Sequence, residues 1–131
     1  MKAVVYHSYG SPDVLKVEEV EKPVLSDDGV LVRVYASSVN PVDWYGMTGL
    51  LIARASSGLF KPKDSSIGTD FAGVVEAVGS QVKDFKPDDE VYGGRSGAFA
   101  EYINVRNAVV RKPSNATFEE AAAVPTAGIT A

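Results

Sequence analysis

The sequence predicts a mainly β domain, a partly closed β-barrel carrying a few short helices. Three observations point there. Short runs rich in β-branched and aromatic residues recur along the chain. Gly, Pro and Asp turns separate them at close spacing. Helical signals are confined to SVNPVDWYGMTG (Ser38 to Gly49) and TFEEAAAV (Thr117 to Val124).

KAVVYH (Lys2 to His7) reads as the first strand. GSPD (Gly10 to Asp13) is turn chemistry, and VLKVEEVE (Val14 to Glu21) is a second strand, partly exposed because of its charges. VLVRVYAS (Val30 to Ser37) puts Val30, Val32, Val34 and Ala36 on one face and Leu31, Arg33, Tyr35 and Ser37 on the other. GTDFAGVVEAVG (Gly68 to Gly79) is a further strand, with Ala72, Val74 and Val78 on one face. Its Gly73, Ala77 and Gly79 imply a bend or close backbone approach. A turn at Lys86 to Asp89 leads into Glu90 to Tyr92. GAFAEYINV (Gly97 to Val105) and AVVRKP (Ala108 to Pro113) complete the β segments.

Each helical stretch has its own start signals. Asn40 is a good N-cap, and Pro41 suits the first helical position because its missing N–H would be unpaired anyway. Asp43 sits in the first turn, where the helix dipole favours negative charge. Gly46 and Gly49 weaken and end this helix. These roles leave Trp44 and Tyr45 without a structural reason. Thr117 with Glu120 three residues on forms a capping box, and Pro125 interrupts the helix it opens. The connection Leu50 to Ser66 is long and rich in Ser, Gly and Lys, so it is expected to act as a mobile lid. TAGITA (Thr126 to Ala131) is a mostly small and apolar segment without a cap, which suggests an interrupted element.

A formal charge of −4 argues against nucleic acid or an anionic membrane as partner. With no Cys, disulfides and thiolate metal sites are excluded. His7 is the one His, so no H-x-x-H spacing exists. No stretch approaches the ~18 apolar residues of a membrane span. The start lacks the apolar core of a signal peptide, so a cytoplasmic location is expected. Neither G-x-G-x-x-G nor G-x-x-x-x-G-K-[ST] occurs, and GGRSG (Gly93 to Gly97) lacks the spacing. A dinucleotide's phosphates would therefore have to be held outside these residues.

SVNPVDWYGMTG, GTDFAGVVEAVGSQVKDFKPDDEVYG, GAFAEYINV and KPSNATFEEAAAVPTAGITA together resemble the N-terminal half of the medium-chain dehydrogenase/reductases, in particular their zinc-independent quinone oxidoreductase branch. The resemblance implies a GroES-like barrel truncated before a Rossmann domain. Residues 1–125 would form the catalytic domain and 126–131 the start of a connector. In zinc-dependent members, ligands fall where this sequence has Asn40, Thr69 and, nearby, Pro125, so no zinc is expected. In the zinc-free branch the positions of Asn40, Tyr45 and Thr130 face the nicotinamide cleft, and Thr126 is grouped with them as a cofactor contact. Met47 stands where a basic residue is common, and Asp88 replaces the Gly of a Gly-Asp-Glu turn.

The implied activity is NAD(P)H-dependent reduction of quinones or α,β-unsaturated carbonyls, with NADPH or NADH bound mainly by the missing domain. Hydride addition builds negative charge on a carbonyl oxygen. Without a Lewis acid, the donors available are Tyr45, Asn40 and Thr69. Asp43 and Asp70 are read as ordering those donors or capping helices. The expected partner is a small-molecule quinone or carbonyl substrate, with no nucleic acid or membrane, and a homodimer is possible for the full-length protein. The alternative is a stand-alone GroES-like binding module without catalysis.

Overall fold

The computed structural model describes residues 1–49 and 58–130. Among the described residues, two antiparallel sheets make up the β portion. The smaller pairs β1 (Lys2–Tyr6) with β2 (Leu15–Glu19). The larger has the order β6-β3-β4-β5-β7, from β3 (Val30–Ser38), β4 (Asp70–Val78), β5 (Glu90–Gly94), β6 (Tyr102–Val105) and β7 (Val109–Arg111). β6 and β7 lie at opposite edges of that order, so the barrel is only partly closed. β1 leans across the opening through single bridges, Ala3 to Ala100 and Val5 to Ser66.

The barrel core gathers Val30, Val32, Phe71, Val75, Val91, Ala98, Ile103 and Val105. Burying each such Val or Phe side chain stabilises the fold by about 1.5–3 kcal/mol. Two irregularities decide which residues of β4 reach it. Leu31 pairs with Ala77 but Val32 pairs with Val75, so Glu76 is an extra residue on β4. Val34 pairs with Gly73 and Ala36 with Ala72, so Tyr35 is extra on β3. The simple alternation expected of β4 therefore needs correction. Val75 and Val78 both pack on the barrel core although they are an odd number of residues apart. Ala72 faces the other way, against Ala121 and Ala122.

Those alanines belong to α2 (Phe118–Ala122), which opens with the capping box read from the sequence. The Glu120 N–H donates to Thr117 Oγ1 at 3.1 Å, and the Thr117 N–H donates to Glu120 Oε1 at 3.2 Å. Pro125 does not simply end the helical region; it begins a second short helix, α3 (Pro125–Thr130). α1 (Pro41–Thr48) is seated by Met47, which packs with Tyr6 and Ile67.

Two strands are shorter than the sequence suggests. Pro12–Val14 form a 3-10 turn ahead of β2. Residues 97–101 bend before β6 because Gly97 adopts a φ of 91°, and the Gly97 and Ala98 N–H groups both donate to Gly68 O. Of the connection Leu50 to Ser66, residues 50–57 lie outside the described residues. Its far end is tied down: the Tyr9 hydroxyl donates to Gly58 O at 2.6 Å, and the Tyr6 N–H to Ser65 O at 2.9 Å. Among the described residues no helix is long and apolar enough to cross a membrane.

Candidate active site

The site is built where β3 ends, β4 begins and α1 and α3 start. Asn40 is extended, with φ −123° and ψ 160°, the backbone state an N-cap requires. Pro41 follows and α1 begins. The Asp43 carboxylate accepts the Asn40 N–H at 2.8 Å, one half of a capping box. In the other half the Asn40 side chain faces the Asp43 N–H but makes no hydrogen bond of good geometry to it. At its far end α1 closes on Gly49, whose φ of 69° lets its N–H reach Tyr45 O at 3.1 Å. With Met47 inward, Val42, Trp44 and Tyr45 are left about half exposed on the outer side of the helix.

Asp70, the first residue of β4, is completely buried. A carboxylate in that position needs donors, and three segments supply them. Asn40 Nδ2 donates to Oδ2 at 3.1 Å. The Thr126 N–H donates to the same oxygen at 2.9 Å, and Thr126 Oγ1 donates to Oδ1 at 2.6 Å. Ser38 Oγ lies 3.4 Å from Oδ2 but gives its proton to Ala122 O at 2.8 Å, the better acceptor distance. That leaves the Ser38 oxygen to accept the second Asn40 N–H at 3.4 Å. Asp70 thus holds the N-cap of α1 and the first turn of α3 on one carboxylate.

The network also decides the orientation of Asn40. An ionised carboxylate only accepts, so the atom facing it must be the amide nitrogen. Both Asn40 N–H groups then have partners, and what remains to Asn40 is acceptor capacity on its oxygen. The three donors read from the sequence are therefore not equivalent: Tyr45 and Thr69 can donate, whereas the Asn40 N–H groups are committed to Asp70 and Ser38.

Thr69 is positioned by its neighbours on both sides. Gly68 has a φ of 95° and packs against Phe99, and Thr69 O accepts the Arg95 N–H at 2.6 Å. The Thr69 hydroxyl is buried and has no hydrogen-bond partner of good geometry. It faces the Asp43 carboxylate and helps to hold its charge. A buried hydroxyl without a partner is costly, so it marks a place where a bound group would be welcome. Burial pushes the Asp43 carboxyl above the usual carboxylate range. The Asn40 N–H pulls it down, the Asp70 charge pushes it further up, and Thr69 opposes with the smallest effect.

The structure thus brings Asn40, Thr69 and Thr126 together around the two acids, with Tyr45 half exposed on the adjoining helix. Thr130 belongs to α3, but its side chain lies outside the described residues. Sequence reasoning passed over Ser38 altogether and gave Asp70 a supporting role. The available signal was an Asp placed at the mouth of an apolar strand, in GTDFAGVV, with only Thr69 as a polar neighbour in sequence. Asn40 and Thr69, and Pro125 near the third position at which the resemblance implies a zinc ligand, offer a carboxamide, a hydroxyl and a proline ring, none of them a usual zinc ligand. Among the described residues no three His, Cys, Asp or Glu side chains are grouped to hold a metal ion.

The chain is similar to known proteins over nearly all of its length. A 2-methylene-furan-3-one reductase of Solanum lycopersicum is 43% identical over 97% of this chain and 34% of its own length. An NADPH-dependent alkenal/one oxidoreductase of Arabidopsis thaliana is 42% identical over 97% of this chain and 35% of its own. The solved quinone oxidoreductase from Coxiella burnetii superposes with a TM-score of 0.89 at 30% identity, over 99% of this chain and 42% of that one. The chain spans about a third of the length of these curated relatives. Residues 26–114 match the alcohol dehydrogenase GroES-like domain. With the match covering most of its residues, the chain belongs to the alcohol dehydrogenase GroES-like domain family.

Proposed function

We propose that this chain is the catalytic domain of an NAD(P)H-dependent oxidoreductase that reduces quinones or α,β-unsaturated carbonyls without zinc. The observation that carries the reading is the buried polar knot at Asp70, with the buried Thr69 hydroxyl beside it, facing Asp43 of the Tyr45 helix. A free-standing binding module has no use for such a cluster at the mouth of its barrel. The names of the relatives favour the same chemistry, since they reduce furanones, alkenals, enones and quinones.

The residues fit a nicotinamide. A carboxamide-bearing ring needs an acceptor for its N–H groups and a polar hydroxyl nearby, and the Asn40 oxygen and Thr69 hydroxyl are of those kinds. When bound, the cofactor supplies a hydride. The chain's own part is to hold the ring and substrate face to face and to meet the charge that develops on the carbonyl oxygen. Tyr45 and Thr69 are the donors for that oxygen. The donor set of amide, hydroxyl and phenol suits hydrogen bonding rather than Lewis-acid catalysis, which supports zinc-free chemistry. The phosphates of the cofactor would be bound by a separate nucleotide-binding domain, in keeping with the greater length of the relatives.

Steady-state NADPH consumption by the whole protein that carries this domain tests the reading. A panel of 2-alkenals, enones and quinones, assayed after treatment with a chelator, should give turnover on at least one class. Absence of turnover on every class, with NADPH bound, would favour the binding-module reading.

A further inference from the structure

The geometry points to Asp70 as the positioning residue of the site: it commits Asn40 to act as a hydrogen-bond acceptor toward the bound cofactor, and it locks that amide to the start of α3. The inference rests on the nicotinamide reading above and adds the residue that would set its specificity.

An asparagine amide is ambidextrous. An N-cap bond from its oxygen to a helix N–H would fix it, but here the Asn40 side chain makes no such bond of good geometry, so the cap alone does not hold the amide. Here the nitrogen faces the Asp70 carboxylate at 3.1 Å and the Ser38 oxygen at 3.4 Å. Flipping the amide would set its oxygen against Asp70 Oδ2, which already accepts the Thr126 N–H, so the low-dielectric surroundings make the two orientations strongly unequal. The same carboxylate takes the Thr126 N–H at 2.9 Å and the Thr126 hydroxyl at 2.6 Å. The orientation of Asn40 is therefore tied to the seating of α3, the segment that carries Thr130. Asp70 itself is completely buried, so it acts through these partners rather than on a ligand.

An acceptor at Asn40 recognises an N–H donor, and the donor that a nicotinamide offers is its carboxamide. Reduced 3-acetylpyridine adenine dinucleotide phosphate is the probe, because a methyl group replaces that NH2. In the whole protein, NADPH should bind about tenfold tighter than this analogue, the worth of about one hydrogen bond. Asp70→Ala frees the Asn40 amide to turn, so the preference should fall to near one. Asp70→Asn keeps an acceptor oxygen opposite Asn40, since its own nitrogen can face the Thr126 hydroxyl oxygen, and should restore most of the preference. A merely structural Asp70 would lower stability and leave the ratio unchanged in Asp70→Ala, which would overturn the proposal.

A second measurement serves if Asp70→Ala fails to fold, and it does not need the cofactor. In the whole protein the Asn40 side-chain amide protons should be protected from solvent exchange, and their resonances should shift on Asp70→Asn as the acceptor opposite them changes from carboxyl to carboxamide. Rapidly exchanging Asn40 amide protons, indifferent to that change, would refute the orientation itself. Protected protons in a protein that binds neither nucleotide would leave the orientation standing and overturn the nicotinamide reading instead.

Discussion

Thr126 Oγ1 donates to Asp70 Oδ1 at 2.6 Å, joining two residues 56 positions apart in the chain. A short bond from a neutral hydroxyl to a buried charge is among the more valuable hydrogen bonds a fold makes, because its loss leaves a carboxylate oxygen under-satisfied. Thr126→Val keeps the shape and removes the proton. It should cost about 1.5–3 kcal/mol in urea unfolding, whereas Thr126→Ser should stay within about 0.5 kcal/mol of the parent. Equal stability of all three would mean that Asp70 does not need Thr126.

Gly73 is a test of how closely β3 and β4 approach. A Cβ placed there would overlap the Arg33 carbonyl oxygen, which is backbone and cannot turn aside. Gly73→Ala should destabilise by about 3 kcal/mol or more, at the upper end of overpacking costs. A change in melting temperature of only a degree or two would show that the strands can part without penalty.

Asp88 is the one non-glycine residue with positive φ among the described residues, at 75°. It stands in the turn between Val75 and β5, where the Asp88 N–H donates to Val75 O at 2.9 Å. The left-handed region costs an L-residue roughly 1–2 kcal/mol, somewhat less for Asp. Glycine pays about 0.4–1 kcal/mol through the unfolded chain. The first effect wins narrowly, so Asp88→Gly should raise stability by up to about 1 kcal/mol. A lower melting temperature for this variant would show that the Asp88 side chain contributes more than its backbone costs.

Asp43 gives the pH dependence a sign. Its folded carboxyl titrates above the ordinary value, chiefly because it is buried. The folded state therefore holds the proton more tightly than the unfolded state. Its contribution to stability is fully present below the ordinary carboxylate value and is lost as pH rises through the raised one. Asp43→Asn retains an oxygen for the Asn40 N–H without titrating. Across that window the parent should lose stability relative to Asp43→Asn as pH rises, in urea titrations at matched ionic strength. A parent that gained relative stability would mean that the Asn40 bond outweighs burial.

Much of this fold was legible because its signals are local. Asn40, Pro41 and Asp43 announce α1 within four residues, and Thr117 with Glu120 announces α2 in the same way. The strands were legible as runs but not in their facing, because the extra residues Glu76 and Tyr35 interrupt the alternation, and nothing in the local pattern marks them. The site was half legible. Asn40, Tyr45 and Thr69 stand out by residue type and family position. Asp70, which anchors Asn40, does not, since its partners lie 30, 32 and 56 positions away. The orientation of the Asn40 amide likewise follows from a charge that only folding brings beside it.

Tyr45 separates a connector helix from a catalytic one. Its ring is half exposed, so Tyr45→Phe removes a hydroxyl at little cost to the fold. If that hydroxyl meets the developing oxyanion, turnover by the whole protein should fall by about 100- to 1,000-fold, the usual effect of losing one such donor. Melting should be nearly unchanged. Full turnover in Tyr45→Phe would move the oxyanion contact to Thr69.

Transfer of deuterium from NADPH labelled at the hydride position of its nicotinamide ring tests the central claim most directly. The whole protein is incubated with this cofactor and an α,β-unsaturated ketone, and the saturated product is examined by mass spectrometry and NMR. One deuterium should appear on the β-carbon, with the proton at the α-carbon coming from water. A reduced product without deuterium at the β-carbon, or labelled NADPH bound but never consumed with any enone or quinone, would contradict the assignment of this domain to hydride transfer.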